Sequence, residues 1–258
     1  MELRIGTSTR TDVGEAVAEA ARTSLDGCKS AAFALVFSTF DYSPSEVAAA
    51  VNQALGATPW AGAMTRAIVH GCHVIERGIA IGVIDSDQIR VRVGAGGPLS
   101  AGARNAGRNA ALAALTDMPL PPPDRSRAMI LFTDVTCGDA AEALHGALSV
   151  AGAGIAWSGG GAGEKEGSAP LFANGHALRD HVVAIALDCH SRVGAGVQHG
   201  WQPTGPPAMV TRASGCVVER LEHRPAFEIY RSAAEERGEA IDAGHFGAFA
   251  VTHPLGSA

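Results

Sequence analysis

Two hydrophobic rhythms alternate along the chain. Between residues 13 and 25, Val13, Val17, Ala20, Ala21 and Leu25 recur at three- and four-residue steps, the spacing that gathers side chains on one face of an α-helix. Asp12 and Glu15 stand where a capping box would open that helix, Asp12 accepting from a free backbone N–H and Glu15 reaching back. Gly27 closes it. The run Ala31–Phe37 is short and apolar throughout, which suits a strand covered on both faces. A second helix is expected from Pro44 to Leu55, with Ser43 as its cap, Pro44 in its first turn and Glu46 completing the box.

Beyond Gly56 the period shortens. Residues 58–63 predict a strand with a glycine turn at Gly62. Residues 78–84 and 88–93, separated by Asp85-Ser86-Asp87, predict an antiparallel hairpin, and the alternation of apolar and charged residues in its second run leaves one face wet. Gly94–Gly97 with Pro98 opens an Ala-rich helix that runs to about Leu115, and the proline run 119–123 reads as a linker.

The pattern then repeats. Ala128–Phe132 matches the strand ending at Phe37, Asp139–Val150 matches the helix 44–55, and Trp157-Ser158-Gly159 answers Trp60-Ala61-Gly62. A hairpin returns as residues 181–187 with 192–197. Phe132 follows Phe37 by 95 positions and Trp157 follows Trp60 by 97. Strand and helix echoes occur in any α/β protein, but a constant order and a nearly constant offset favour duplication. The expected fold is therefore α/β: two similar mixed-sheet units with packed helices, related by internal duplication, plus a truncated C-terminal segment. The units are placed at residues 1–118 and 124–222, with a helix and the start of an incomplete region at 223–258. A ligand crevice is expected between the units.

Composition narrows the class. The chain has 258 residues, 47% hydrophobic and 18% charged, with a net charge of −6, which is a folded chain rather than a disordered one. The acidity and the lack of a basic face argue against a nucleic-acid partner. No window reaches the roughly 20 apolar residues of a membrane span, and the N-terminal sequence lacks a secretory pattern. Five cysteines without a CxxC pair read as reduced thiols, so a cytoplasmic protein is expected.

Candidate chemistry is sparse. In Gly159-Gly160-Gly161-Ala162-Gly163-Glu164-Lys165 the lysine is flanked by glutamates where a phosphate loop needs Gly-Lys-Ser/Thr, and position 164 is not the third glycine of a dinucleotide fingerprint. Ser158 after a buried run approximates a nucleophile elbow, with Asp180 or Asp188 and then His199 in hydrolase order, but a glycine run is a poor helix start. His70, Cys72 and His73, like Cys189-His190, do not converge on one ion from a strand. The stretch His199-Gly-Trp201-Gln-Pro-Thr-Gly205 gathers an imidazole, an indole and close-approach glycines in one loop.

At these residues the sequence resembles the FIST family, the sensory ligand-binding domains of bacterial signalling proteins that also occur in a eukaryotic F-box protein. The resemblance runs through Ile130-Leu-Phe132, Trp157-Ser-Gly-Gly160, Phe172-Ala-Asn174-Gly175, Val182-Val-Ala184, His199–Gly205, Val210–Gly215, Val218, Leu221 and Pro225–Tyr230. It implies an intracellular sensor of a small, amino-acid-like ligand rather than an enzyme. It also implies an alternative, a haem protein that senses nitric oxide with His199 as iron ligand; otherwise no cofactor or metal is expected. Glu164 stands where the family more usually has Asp, and residues 247–256 resemble only the first strand of the family's C-terminal domain. A signal would pass to a protein in a separate chain, and neither nucleic acid nor membrane is an expected partner. The expected site has Trp60 and Trp157 on its floor, Gly62, Gly159, Gly160 and Gly161 at its backbone, and Thr65, Ser158, Asn174 and Thr211 as hydrogen bonders. His199 and Trp201 form its rim. The second alternative is a serine hydrolase using Ser158.

Overall fold

A computed structural model describes residues 1–163, 165–198, 200–203, 205–215, 217–236, 238–242, 244 and 246–256. They form two compact units, Met1–Gly196 and Val197–Ala258, so the boundary expected near residues 118–124 falls inside the first. That unit contains, in order, β1 (Glu2–Ser8), α1 (Val13–Leu25), β2 (Ala31–Thr39), α2 (Pro44–Leu55), β3 (Trp60–Thr65), β4 (Ile68–His70), β5 (His73–Ile75) and β6 (Ile79–Asp85). The same succession of element types follows as β7 (Arg90–Gly96), α3 (Ala103–Leu115), β8 (Ser126–Thr133), α4 (Ala140–Ala151), β9 (Ala156–Gly161), β10 (Leu171–Ala173), β11 (His176–Leu178) and β12 (Val182–Cys189).

The strands make a six-stranded sheet, β1-β6-β2-β3-β10-β11, and a four-stranded sheet, β7-β12-β8-β9. The β2–β3 and β8–β9 pairs are parallel and the other neighbours antiparallel. Alternation along the strands sorts their side chains. On β2, Ala34 and Val36 pack under α1 and α2, while Phe33, Leu35 and Phe37 turn the other way. On β12, Val182, Ala184 and Ala186 pack under α3 and α4, while Val183 and Ile185 meet the first sheet. The unit is thus four layers, helix–sheet–sheet–helix. Between the sheets lies packed apolar core, with Phe33, Leu171, Val183 and Ile185 at 0% exposure and Phe37 edge-on to Phe132 at 5.9 Å. The expected crevice between the halves is filled by this core.

The helices form where their caps and periodicity place them. Asp12 accepts from the Glu15 N–H at 2.9 Å, but the Glu15 carboxylate bonds Arg10 instead of closing the box. Asp139 accepts from the N–H groups of Ala141 and Glu142. Ser43 makes no cap bond, its hydroxyl lying 3.0 Å from that of Ser45.

Neither expected hairpin exists. β6 already has β1 and β2 on its two edges, and β12 has β7 and β8, so no edge remains for the next run. β7 therefore starts the second sheet, and residues 192–197 form no strand. Gly94 and Gly96 belong to β7 rather than to a helix start. A Cβ on either would lie 2.2 Å from Ala114 N or 2.1 Å from Ala106 O, so their glycines let α3 rest on the strand. β1 is an element the sequence pattern did not announce, because Leu3 and Ile5 on this edge strand stay exposed.

The second unit holds an antiparallel sheet of β13 (Val210–Ser214), β14 (Val217–Leu221) and β15 (Arg224–Pro225), then α5 (Ala226–Glu235) and α6 (Phe246–Thr252). The strand expected from residue 247 is helix α6. Its Phe246 and Phe249 share a helical face, and both stand edge-on to Tyr230 at 5.2 and 5.8 Å, which a strand would prevent. The Tyr230 hydroxyl donates to the His253 carbonyl, and burial raises its pKa.

Candidate functional site

The expected site residues divide between separate places. Trp60 opens β3 and is 4% exposed; its indole N–H donates to Asn52 Oδ1 at 3.0 Å, and its ring lies 5.8 Å from that of Phe172. Asn52 projects from α2 and donates to the Gly175 carbonyl at 2.9 Å. Asn174 and Gly175 make the β10–β11 turn with φ of 50° and 83°, the left-handed pair that an Asn-Gly hairpin turn requires. These residues, with Thr58 and His176, surround an open pocket of about 270 Å3. Of the expected site residues, Trp60 and Asn174 are thereby brought together. Asn52, Thr58 and His176 were missed, although Asn174-Gly175 is itself a hairpin signal that would have carried residues 171–178 to β3.

Gly62 is not at a turn. It sits within β3, and a Cβ there would lie 1.7 Å from the carbonyl oxygen of Val36 on β2. Gly159, φ 135°, makes the same approach to Leu131 on β8, at 1.9 Å. Both glycines are required by the neighbouring strand rather than by a ligand. Ser158, Gly160 and Gly161 lie exposed along the outer edge of β9. Trp157 is half-buried against the core under α3 and α4, its indole N–H donating to the Gly152 carbonyl at 3.0 Å. Thr65 ends β3 and donates to the Ala67 carbonyl at 3.0 Å. Beside it the chain leaving β9 crosses, with the Gly163 N–H donating to Met64 O at 2.8 Å.

Ser158 does not stand on a nucleophile elbow, because β9 continues through Gly161 and the next element among the described residues is strand β10. Asp188 is buried in an ion pair with Arg127 at 2.7 Å. Asp180 accepts from the Ser100 N–H and hydroxyl, which hold its carboxyl below the usual range. Trp201 and Thr211 belong to the second unit. Trp201 is 53% exposed, and the Thr211 hydroxyl accepts from the His223 N–H at 2.9 Å. His199, like Glu164, lies outside the described residues. Among the described residues no group of three His, Cys, Asp or Glu is placed to hold a metal ion, and no helix is long and apolar enough to cross a membrane.

Residues 32–224 match the model of the FIST N domain. The chain belongs to the FIST family. The FIST match begins in β2 and ends at the start of β15, so it takes in every strand of the first unit except β1 and reaches the last strand of the second unit's sheet. FIST domains are a sensory family. Among solved structures the FIST chain is similar to a cyanuric acid hydrolase from A. caulinodans at 14% identity and a TM-score of 0.35, over 71% of this chain and 70% of that one. No curated protein matches this FIST chain in sequence.

Proposed function

We propose that this FIST chain is a cytoplasmic sensory domain that takes a small, amino-acid-like metabolite in the pocket beside Trp60 and signals through a protein in a separate chain. The observation that carries the reading is the meeting of two amides, a hydroxyl and an imidazole around one indole: Asn52, Asn174, Thr58, His176 and Trp60. A volume of about 270 Å3 lies just below the roughly 300–1,000 Å3 of drug-sized pockets, which favours a metabolite of amino-acid size. The amides supply both donors and acceptors, as a zwitterion needs. Asn52 is already fixed by Trp60 and Gly175, so its free valences point in a set direction.

The test is thermal unfolding of the full chain against the twenty amino acids and their decarboxylated and deaminated analogues. A ligand of the folded state raises the midpoint in proportion to the logarithm of its concentration. One member of the panel is expected to do so, with the rise lost in Asn174→Ala and in His176→Ala, both exposed and free of core packing. A panel without effect, or a rise that both variants retain, would sink the assignment.

A further inference from the structure

The two sheets share one strand order as far as β3 and β9 and differ at the edge beyond. β3 is covered: β10 pairs with it antiparallel, Leu171 opposite Ala63, Phe172 opposite Gly62 and Ala173 opposite Ala61. Phe172 is fully buried against Trp60. β9 is bare. No strand pairs with its outer side among the described residues, residues 158–161 are exposed, and nothing lies within 4 Å of where a Cβ on Gly160 would stand. An uncovered edge of this kind is a template for another strand.

The hairpin β4–β5 has the build of the one that covers β3. Each has two three-residue strands and a two-residue turn, Gly71-Cys72 in one and Asn174-Gly175 in the other. The central cross-strand pair of β10–β11 is Phe172–Ala177, packed in the core under α1 and α2. Its counterpart in β4–β5 is Val69–Val74, and these valines are 75% and 64% exposed. β4–β5 pairs with no other strand among the described residues.

Within one chain the two do not pair. β10 reaches its sheet through residues 162–170, whereas only Arg66 and Ala67 join β3 to β4. The Thr65 hydroxyl fixes that turn on the Ala67 carbonyl, and Ile68 is buried at the root of the hairpin. We infer that the bare edge of β9 receives the β4–β5 hairpin of a second copy of this chain, two copies exchanging hairpins about a twofold axis. Carrying the register of the covered edge onto the bare one sets Val69 opposite Gly159, as Phe172 is opposite Gly62. Val69 then lies against the half-buried Trp157, and His70 falls opposite Ser158. The interface is isologous and closes at two copies, and its recognition is strand addition at a sheet edge with one apolar anchor.

The full chain is therefore expected to sediment as a dimer at micromolar concentration. Val69→Glu with Val74→Glu should make it a monomer with an unchanged far-ultraviolet circular dichroism spectrum, since both side chains are exposed within one copy. For the register, Ser158→Cys and His70→Cys are placed in separate chains, each also carrying Cys72→Ser, and mixed under mild oxidation. A disulfide-linked pair of the two chains is expected. A monomer at every concentration, a dimer indifferent to the glutamates, or a disulfide that closes only within a chain carrying both cysteines would overturn the proposal.

Discussion

The two helix layers follow the same succession of elements and are packed in opposite ways. Under α1 and α2 the space is filled by Val17, Val47, Val51, Leu55, Tyr42, Trp60 and the borrowed Phe172. Under α3 and α4 the residues that the helices bury are mostly alanine, Ala106, Ala110, Ala111, Ala114, Ala143 and Ala147, with Leu99, Met118, Met129, Leu131 and Val182 filling the rest beside Ala184 and Ala186. Here backbone meets backbone. A Cβ on Gly107 would lie 1.8 Å from the Ala143 carbonyl oxygen, and one on Gly146 would lie 1.9 Å from that of Arg104. In the first half such an approach of helix to sheet occurs at Gly6, 1.9 Å from Ala20 O. One topology is thus held by filled volume on one side and by close approach on the other, so the harmful substitution is a deletion in the first layer and an addition in the second.

The largest effect is expected from Phe172→Ala, which should cost about 3–5 kcal/mol in urea unfolding as a large cavity opens beside Trp60. Gly107→Ala should cost about 1–3 kcal/mol by the same measurement, because the added methyl forces α3 from α4; a neutral result would break the comparison. Asp139→Ala should remove about 1 kcal/mol with the cap of α4. Ser43→Ala, at the corresponding cap of α2, should stay within about 0.5 kcal/mol, since no cap bond is lost.

A smaller effect is read through pH. Asp180 in the second half, bonded chiefly by the Ser100 hydroxyl, and Asp85 in the first, bonded chiefly by the Ser30 N–H, both hold carboxyl pKa values below the usual range. A depressed folded-state pKa contributes stability that is present above the ordinary value of about 3.9 and is lost as pH falls through the lower folded one. Asp180→Asn should therefore flatten the decline in melting temperature below about pH 4, and Asp85→Asn should do so to a similar degree. A difference between them would locate the acid-sensitive half.

The helices were legible because their signals are local: Asp12, Asp139 and Pro44 mark their starts, and the apolar period marks their faces. The sheet order was not. Residues 78–84 and 88–93 are adjacent in sequence and read as a hairpin, yet pairing is decided by which edges are already taken, and β6 has none left. The glycines at 62 and 159 looked like turns and those at 94 and 96 like a helix start, because glycine is common at both; their role depends on a carbonyl or helix far along the chain. For the same reason only part of the proposed pocket was legible. Trp60 and Asn174 were found from their own chemistry, whereas Asn52 is an ordinary polar residue of α2 until β10 brings Gly175 to it.

The β10–β11 hairpin also fixes an order of events. A nascent chain that has emerged as far as Asp85 carries four strands of the first sheet, but the strand that seals β3 lies beyond the whole of β7, α3, β8, α4 and β9. Until Leu171–Leu178 has left the ribosome, the edge at Gly62 stands open and Trp60 lacks its aromatic neighbour. Contacts so distant in sequence form late. The sheet of the first half is thus the first begun, yet it waits for residues 171–178 of the second, and a message cut short in the proline run would yield a sheet without the strand that pairs with β3.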